Sequence, residues 1–116
     1  MEYSIAIVGT ADVILGFKAL GLETHPVNSP AEALEKIEEL SAASRPHPTI
    51  QNETVAKYAV IFIIEDIAEG LPEDRYKKLT SKPLPAIIPL PGPKGSTGFG
   101  EARLKKLIIQ AVGTEI

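Results

Sequence analysis

Seven consecutive residues, Tyr58-Ala59-Val60-Ile61-Phe62-Ile63-Ile64, are apolar or aromatic, and the run stops abruptly at Glu65-Asp66. A run this short, rich in β-branched side chains and without polar alternation, fits a strand covered on both faces, as parallel strands are. It predicts the central strand of an α/β sheet. Open α/β sheets gather ligands beyond the carboxyl ends of their strands, so the two carboxylates that close the run lie where chemistry would be sought.

The chain before this strand supplies its neighbours. Residues 3–8 predict a first strand ended by Gly9-Thr10, and a helix follows to about Leu20. Thr10 or Asp12 is placed to cap that helix, with Val13, Ile14, Phe17 and Leu20 on its apolar face and Gly16 permitting close packing. Residues 22–27 are polar and contain Pro26, which predicts an edge strand. Ser29-Pro30-Ala31-Glu32 has the pattern of a capping box with proline at the first helical position, so Ser29 caps a second helix. Leu34, Ile37 and Leu40 face the sheet from it, opposite an acidic, solvated face. Residues 41–49, with Arg45-Pro46-His47-Pro48, lose all periodicity and predict an inserted loop, followed by a short helical piece near Val55 and Ala56.

After the central strand, residues 66–69 begin helically with Asp66 as the expected cap. Gly70 and Pro72 break the helix, and a second piece over residues 73–79 turns Tyr76 and Leu79 inward and carries Lys77-Lys78 at its carboxyl end. Residues 86–88 predict one more strand, confined to an edge by the prolines around it. A glycine-rich tether, residues 92–100, then leads to a final helix over residues 101–112, where Leu104, Leu107, Ile108, Ala111 and Val112 make a full apolar stripe. Four strands alternating with helices predict a single domain: an α/β, doubly wound parallel sheet of order 2-1-3-4. Its globular body covers about residues 1–91.

Composition excludes several classes of function. The 116 residues contain no cysteine, which removes thiolate metal sites and thiol catalysis and accords with a reducing, cytoplasmic setting. A formal charge of −3 without a large basic cluster argues against nucleic acid. Apolar runs fall short of the roughly 18 residues that cross a bilayer, and the amino terminus is not that of a signal peptide. His25 and His47 each stand beside a proline without ligand spacing and are expected to be solvent-exposed and metal-free.

Two constellations remain. Asp12, Glu65 and Asp66 would converge at the carboxyl edge of the sheet, as the magnesium-binding acids of a phosphorylated receiver domain do, but helix capping accounts for them more simply. The segment Gly92-Pro93-Lys94-Gly95-Ser96-Thr97-Gly98-Phe99-Gly100 lies between strand and helix, the context of a phosphate cradle, yet Lys94 precedes the last glycine and the P-loop spacing is absent. Serine and threonine lack a histidine partner in any recognisable motif. The expectation is a protein with no catalytic residue, metal or cofactor.

Four segments, in order, carry a family resemblance: Ile5-Ala6-Ile7-Val8-Gly9; Val13-Ile14-Leu15-Gly16-Phe17-Lys18 with Gly21; Ile61-Phe62-Ile63-Ile64-Glu65-Asp66-Ile67-Ala68-Glu69; and Ile109-Gln110-Ala111-Val112-Gly113. The chain resembles the F subunits of the archaeal and vacuolar-type (A/V-type) rotary ATPases over nearly all of its length except residues 41–54. The resemblance implies a small doubly wound domain, non-catalytic in itself, that belongs to the central stalk. Its implied partner is the coiled-coil rotor shaft, the D subunit of the same complexes, with the carboxyl-terminal helix as the mobile part. It also implies a cytoplasmic protein held at the membrane only through the ATPase complex. On that helix, Lys105, Lys106 and Ile109 are the expected partner contacts, because Ile109 falls at or beyond the edge of the apolar stripe and the two lysines suit acidic coiled-coil flanks. The alternative is a receiver-like phosphoryl or magnesium-binding signalling domain.

Overall fold

The structure, a computed structural model, describes residues 3–92 and residue 105. Along these residues run β1 (Ser4–Gly9), α1 (Ala11–Lys18), β2 (Glu23–Pro26), α2 (Pro30–Ala42), β3 (Ser44–Pro46), β4 (Thr54–Ala56), β5 (Tyr58–Ile64), α3 (Glu65–Ala68), α4 (Glu73–Thr80) and β6 (Ala86–Leu90). The strands β2-β1-β5-β6 form one parallel sheet, the predicted order once the β3–β4 pair is set aside. The apolar run is β5 itself and sits between β1 and β6. Ile61 pairs with Ala6 on one side and Ile87 on the other, and Phe62 with Ile7 and Ile88.

Alternation along β1 and β5 divides the core in two. Ala6, Val8, Ile61 and Ile63 point to the face covered by α2, α3 and α4, where Ala33, Leu34, Ile37, Leu40, Ile67, Leu71 and Tyr76 close over them. Ile7 and Ile64 point to the other face, where Ile14 of α1 meets them and Val13, Phe17, Leu22, Phe62 and Leu90 are only partly buried. Gly9 brings these parts together: a Cβ there would lie 2.6 Å from Cγ1 of Ile64 and 2.8 Å from Cγ2 of Ile14. Gly16 does not make the close packing expected of it, since a Cβ at that position would meet nothing within 4 Å.

The capping residues divide as well. Ser29 Oγ accepts a hydrogen bond from the Glu32 amide at 3.2 Å, and Pro30 occupies the first turn. The Glu32 carboxylate reaches back to the Asn28 amide at 2.9 Å, one residue beyond the usual partner of a capping box. At the other two helices the expectation is corrected. Thr10 precedes α1 and Ile64 precedes α3, neither with a side-chain cap, while Asp12 and Asp66 lie in the first turns. There they meet the positive end of the helix dipole without closing a capping ring.

The expected loop at residues 41–49 is also corrected. Residues 44–46 and 54–56 form an antiparallel ribbon, Arg45 opposite Val55, and Val55 and Ala56 are strand rather than helix. Prolines exclude a helix, but they are compatible with the edge of a two-stranded ribbon. His47 orders the turn: its Nδ1 accepts from the amides of Thr49 at 3.1 Å and Ile50 at 2.9 Å, and its own amide donates to the Glu53 carbonyl at 2.8 Å. Asn52 takes the left-handed conformation, with φ of 66°, that asparagine tolerates. The Arg45 guanidinium lies 4.9 Å from the Tyr3 ring centroid and ties the ribbon to the start of β1.

The expected tether and final helix lie outside the described residues, apart from Gly92, which makes a single bridge, and Lys105, which is helical and exposed.

Candidate interaction surfaces

The carboxyl edge of the sheet is the predicted place for chemistry. A crevice of about 470 Å³ opens there, lined by Asp12, Val13, Phe17, Ile64, Pro91 and Gly92. Asp66 stands beside it, its Oδ2 2.9 Å from where a Cβ on Gly92 would be. Glu65, in contrast, is buried at 2% exposure while Asp12 and Asp66 are exposed. The three acids do not make the trio a receiver-like site needs: among the described residues no group of three His, Cys, Asp or Glu could hold a metal ion. Chemically, the described part of the crevice offers an apolar wall with the Asp12 carboxylate in its lining and Asp66 beside it.

The amino edge holds a network that sequence spacing does not reveal. Tyr58 Oη donates to Glu23 Oε1 at 2.8 Å, and His25 Nε2 lies 3.1 Å from the same oxygen. The bond spans two strand positions of the sheet, from β5 across β1 to the edge strand β2. Burial raises the Glu23 carboxyl, but the Tyr58 hydroxyl, the His25 ring and the charge of Lys57 together hold it below its ordinary value. Burial, the bond to Glu23 and the charges of Glu23 and Glu39 push the Tyr58 phenol up to about 12. His25 is therefore a half-buried partner of a carboxylate rather than the free surface residue expected. A phenol raised so far and a carboxylate held ionised cannot exchange a proton usefully near neutrality. The network braces the edge strand.

A third feature lies between α2 and α4, where a cleft of about 310 Å³ is lined by Glu38, Ser41, Ala42, Arg75, Lys78, Leu79 and Lys82. Arg75 and Glu38 bridge it with an ion pair at 2.6 Å. Sequence position presents the lysines of α4 only as complements of the helix dipole. The carboxyl end of α2 and the residues beyond α4 must be stacked before Ser41 and Lys82 come to share a wall. On the opposite side of the molecule α1 exposes Leu15, and Leu20, expected on the buried face of that helix, lies beyond its end at Lys18 and is 73% exposed. Of the residues predicted to meet a partner, Lys105 is exposed on a helix, and Lys106 and Ile109 lie outside the described residues.

The chain resembles known proteins in sequence and in fold. Residues 5–108 match the family model described as ATP synthase (F/14-kDa) subunit. The chain is 33% identical over 116 residues to the F subunit of the V-type ATP synthase of Clostridium perfringens, covering 100% of this chain and 97% of the relative. It is 34% identical over 118 residues to the corresponding V-type F subunit of Clostridium botulinum, at 100% and 99% coverage. Similarity extends to the F subunit of the A-type ATP synthase of Methanothermobacter thermautotrophicus, 30% identical over 117 residues and covering 100% and 98%. Among solved structures, the crystal structure of the V-type ATP synthase F subunit from Archaeoglobus fulgidus superposes with a TM-score of 0.59 at 18% identity, covering 78% of this chain and 99% of that one. At that identity the superposition speaks for the fold.

Proposed function

Since the chain belongs to the family of F/14-kDa subunits of ATP synthases, we propose that it is a non-catalytic rotor subunit in the central stalk of an A/V-type ATP synthase or ATPase. It binds the coiled-coil shaft, the D subunit, and helps couple ATP synthesis or hydrolysis to ion transport. The supporting observation is the end-to-end alignment with F subunits of V-type ATP synthases. Side-chain chemistry agrees with a binding role, because Glu32, Glu23 and Glu38 serve a helix start, a strand brace and an interhelical ion pair. No helix among the described residues is long and apolar enough to cross a membrane. In this reading the protein stays on the cytoplasmic side, attached to the membrane through the complex.

Residues 101–112 form the adjustable part of the contact in this proposal. Their apolar stripe suits the face of the sheet on which Phe17, Phe62 and Leu90 are only partly buried, with Lys105, Lys106 and Ile109 directed to the shaft. The glycines at 92, 95, 98 and 100 lower the local cost of opening. Coexpression with the coiled-coil shaft tests the assignment: a stoichiometric complex on gel filtration is expected, and a chain that stays monomeric beside a folded shaft would overturn it. Hydrogen exchange tests the adjustable contact. Residues 101–112 are expected to exchange faster than β5 in the free chain and to slow when the shaft is added; equal protection in both states would show fixed core instead.

A further inference from the structure

The cleft between α2 and α4 combines three cations, Arg75, Lys78 and Lys82, with one carboxylate, Glu38, in a chain whose formal charge is −3. Arg75 is paired with Glu38, whereas among the described residues Lys78 and Lys82 have no acidic partner within ion-pair distance. The helix dipole accounts for a lysine in the last turn of α4, which suits both Lys77 and Lys78. It does not account for Lys82, which lies beyond that helix.

The lining also limits the occupant. Among the described residues Leu79 and Ala42 are its only apolar side chains, which is unlike the predominantly apolar pockets that bury small molecules. A positive wall suits carboxylates presented on a rigid surface. We infer that the α2–α4 cleft is a docking site for an acidic helix of a partner protein, whose carboxylates pair with Lys78 and Lys82. The inference rests on the binding role proposed above and adds a fixed contact on the side of the sheet opposite α1. Complementary charge of this kind steers association and sets register.

The test uses the full chain and the other subunits of its own complex, purified together without it. Affinity is measured by titration at low and high salt for the parent, for K78E/K82E, and for K18E/K77E, a pair with the same charge change on exposed lysines outside the cleft. Circular dichroism melts establish that all three are folded. K78E/K82E is expected to weaken binding by about tenfold or more and to flatten its salt dependence, and K18E/K77E to leave both nearly unchanged. Equal weakening by both lysine pairs, or none by either, would overturn the docking site while leaving the family role intact. Failure of the parent itself to bind would overturn that role and this site with it. Saturable binding of tripolyphosphate that shifts the Lys78 and Lys82 resonances, with parental partner affinity in K78E/K82E, would give the cleft to a small anion and overturn the docking site.

Discussion

The two faces of the sheet are closed to different degrees, although the same strands supply both. On one face α2, α3 and α4 seal a continuous cluster in which Ala6, Ala33, Ile37, Ile61, Ile63 and Ala68 have no exposure at all. On the other, the eight residues of α1 bury Ile7, Ile14 and Ile64 and leave Phe62 and Leu90 partly covered, with Ile88 at 40% exposure. A strand as apolar on both sides as β5 needs cover on both. The sealed face is therefore the part of the body that holds its shape, and among the described residues the α1 face leaves more apolar surface uncovered.

Neighbouring residues of β5 give the sharpest test, because Ile61 and Phe62 point to opposite faces. Ile61→Ala is expected to cost about 3–4 kcal/mol in denaturant unfolding. Phe62→Ala removes a larger side chain yet is expected to cost only about 1–2 kcal/mol, since its present burial is partial. A Phe62 penalty as large as that of Ile61 would show that the α1 face is as closed in the free protein as the other, and the comparison would fail.

Next in size is Gly9→Ala, expected to cost about 1–3 kcal/mol by overpacking. The new methyl would press on Ile64 and Ile14, both buried on the α1 face. A much smaller loss would mean that α1 yields readily and that its face is soft as well as open.

Smaller effects separate the capping roles. Ser29→Ala is expected to cost about 1 kcal/mol, because the Glu32 amide loses its acceptor. Asp66→Ala and Asp12→Ala, which remove only an attraction to the dipole, should each cost about 0.3–0.5 kcal/mol. Thermal melts of the three variants rank them directly, and a loss at Asp66 equal to that at Ser29 would restore it as a cap.

The brace at the amino edge predicts a pH dependence. The Glu23 carboxyl is held below its ordinary value of 4.5 in the folded chain. Its contribution is thus fully present above pH 4.5 and is lost as pH falls through the lower folded value. Stability of the parent should fall more steeply than that of Glu23→Gln in acid below about pH 4.5, and the two curves should run parallel above it. Tyr58→Phe removes the donor and is expected to cost about 1 kcal/mol at neutral pH. Glu23 is itself substantially exposed, so the difference is expected to be small, and parallel curves down through acid pH would show that the brace adds nothing to stability.

Local pattern determined much of this protein. The apolar run became β5 because a sequence without polar alternation can be buried only between two layers. Ser29-Pro30-Ala31-Glu32 opens α2 because capping is settled within four residues, and Gly70 with Pro72 separates α3 from α4 for the same local reason. The strand order followed from the handedness of the crossovers. The prolines at 46 and 48 were misleading, since they exclude a helix equally in a loop and in a ribbon edge; the choice between these depended on Val55 finding Arg45 ten residues away. Tertiary structure alone decided the rest. Tyr58 and Glu23 meet across 35 positions, and Ser41 and Lys82 share a wall only after α2 and α4 stack on one face. Their sequence neighbours carry no sign of these meetings, because periodicity records which side of an element is buried and leaves unrecorded which other element buries it.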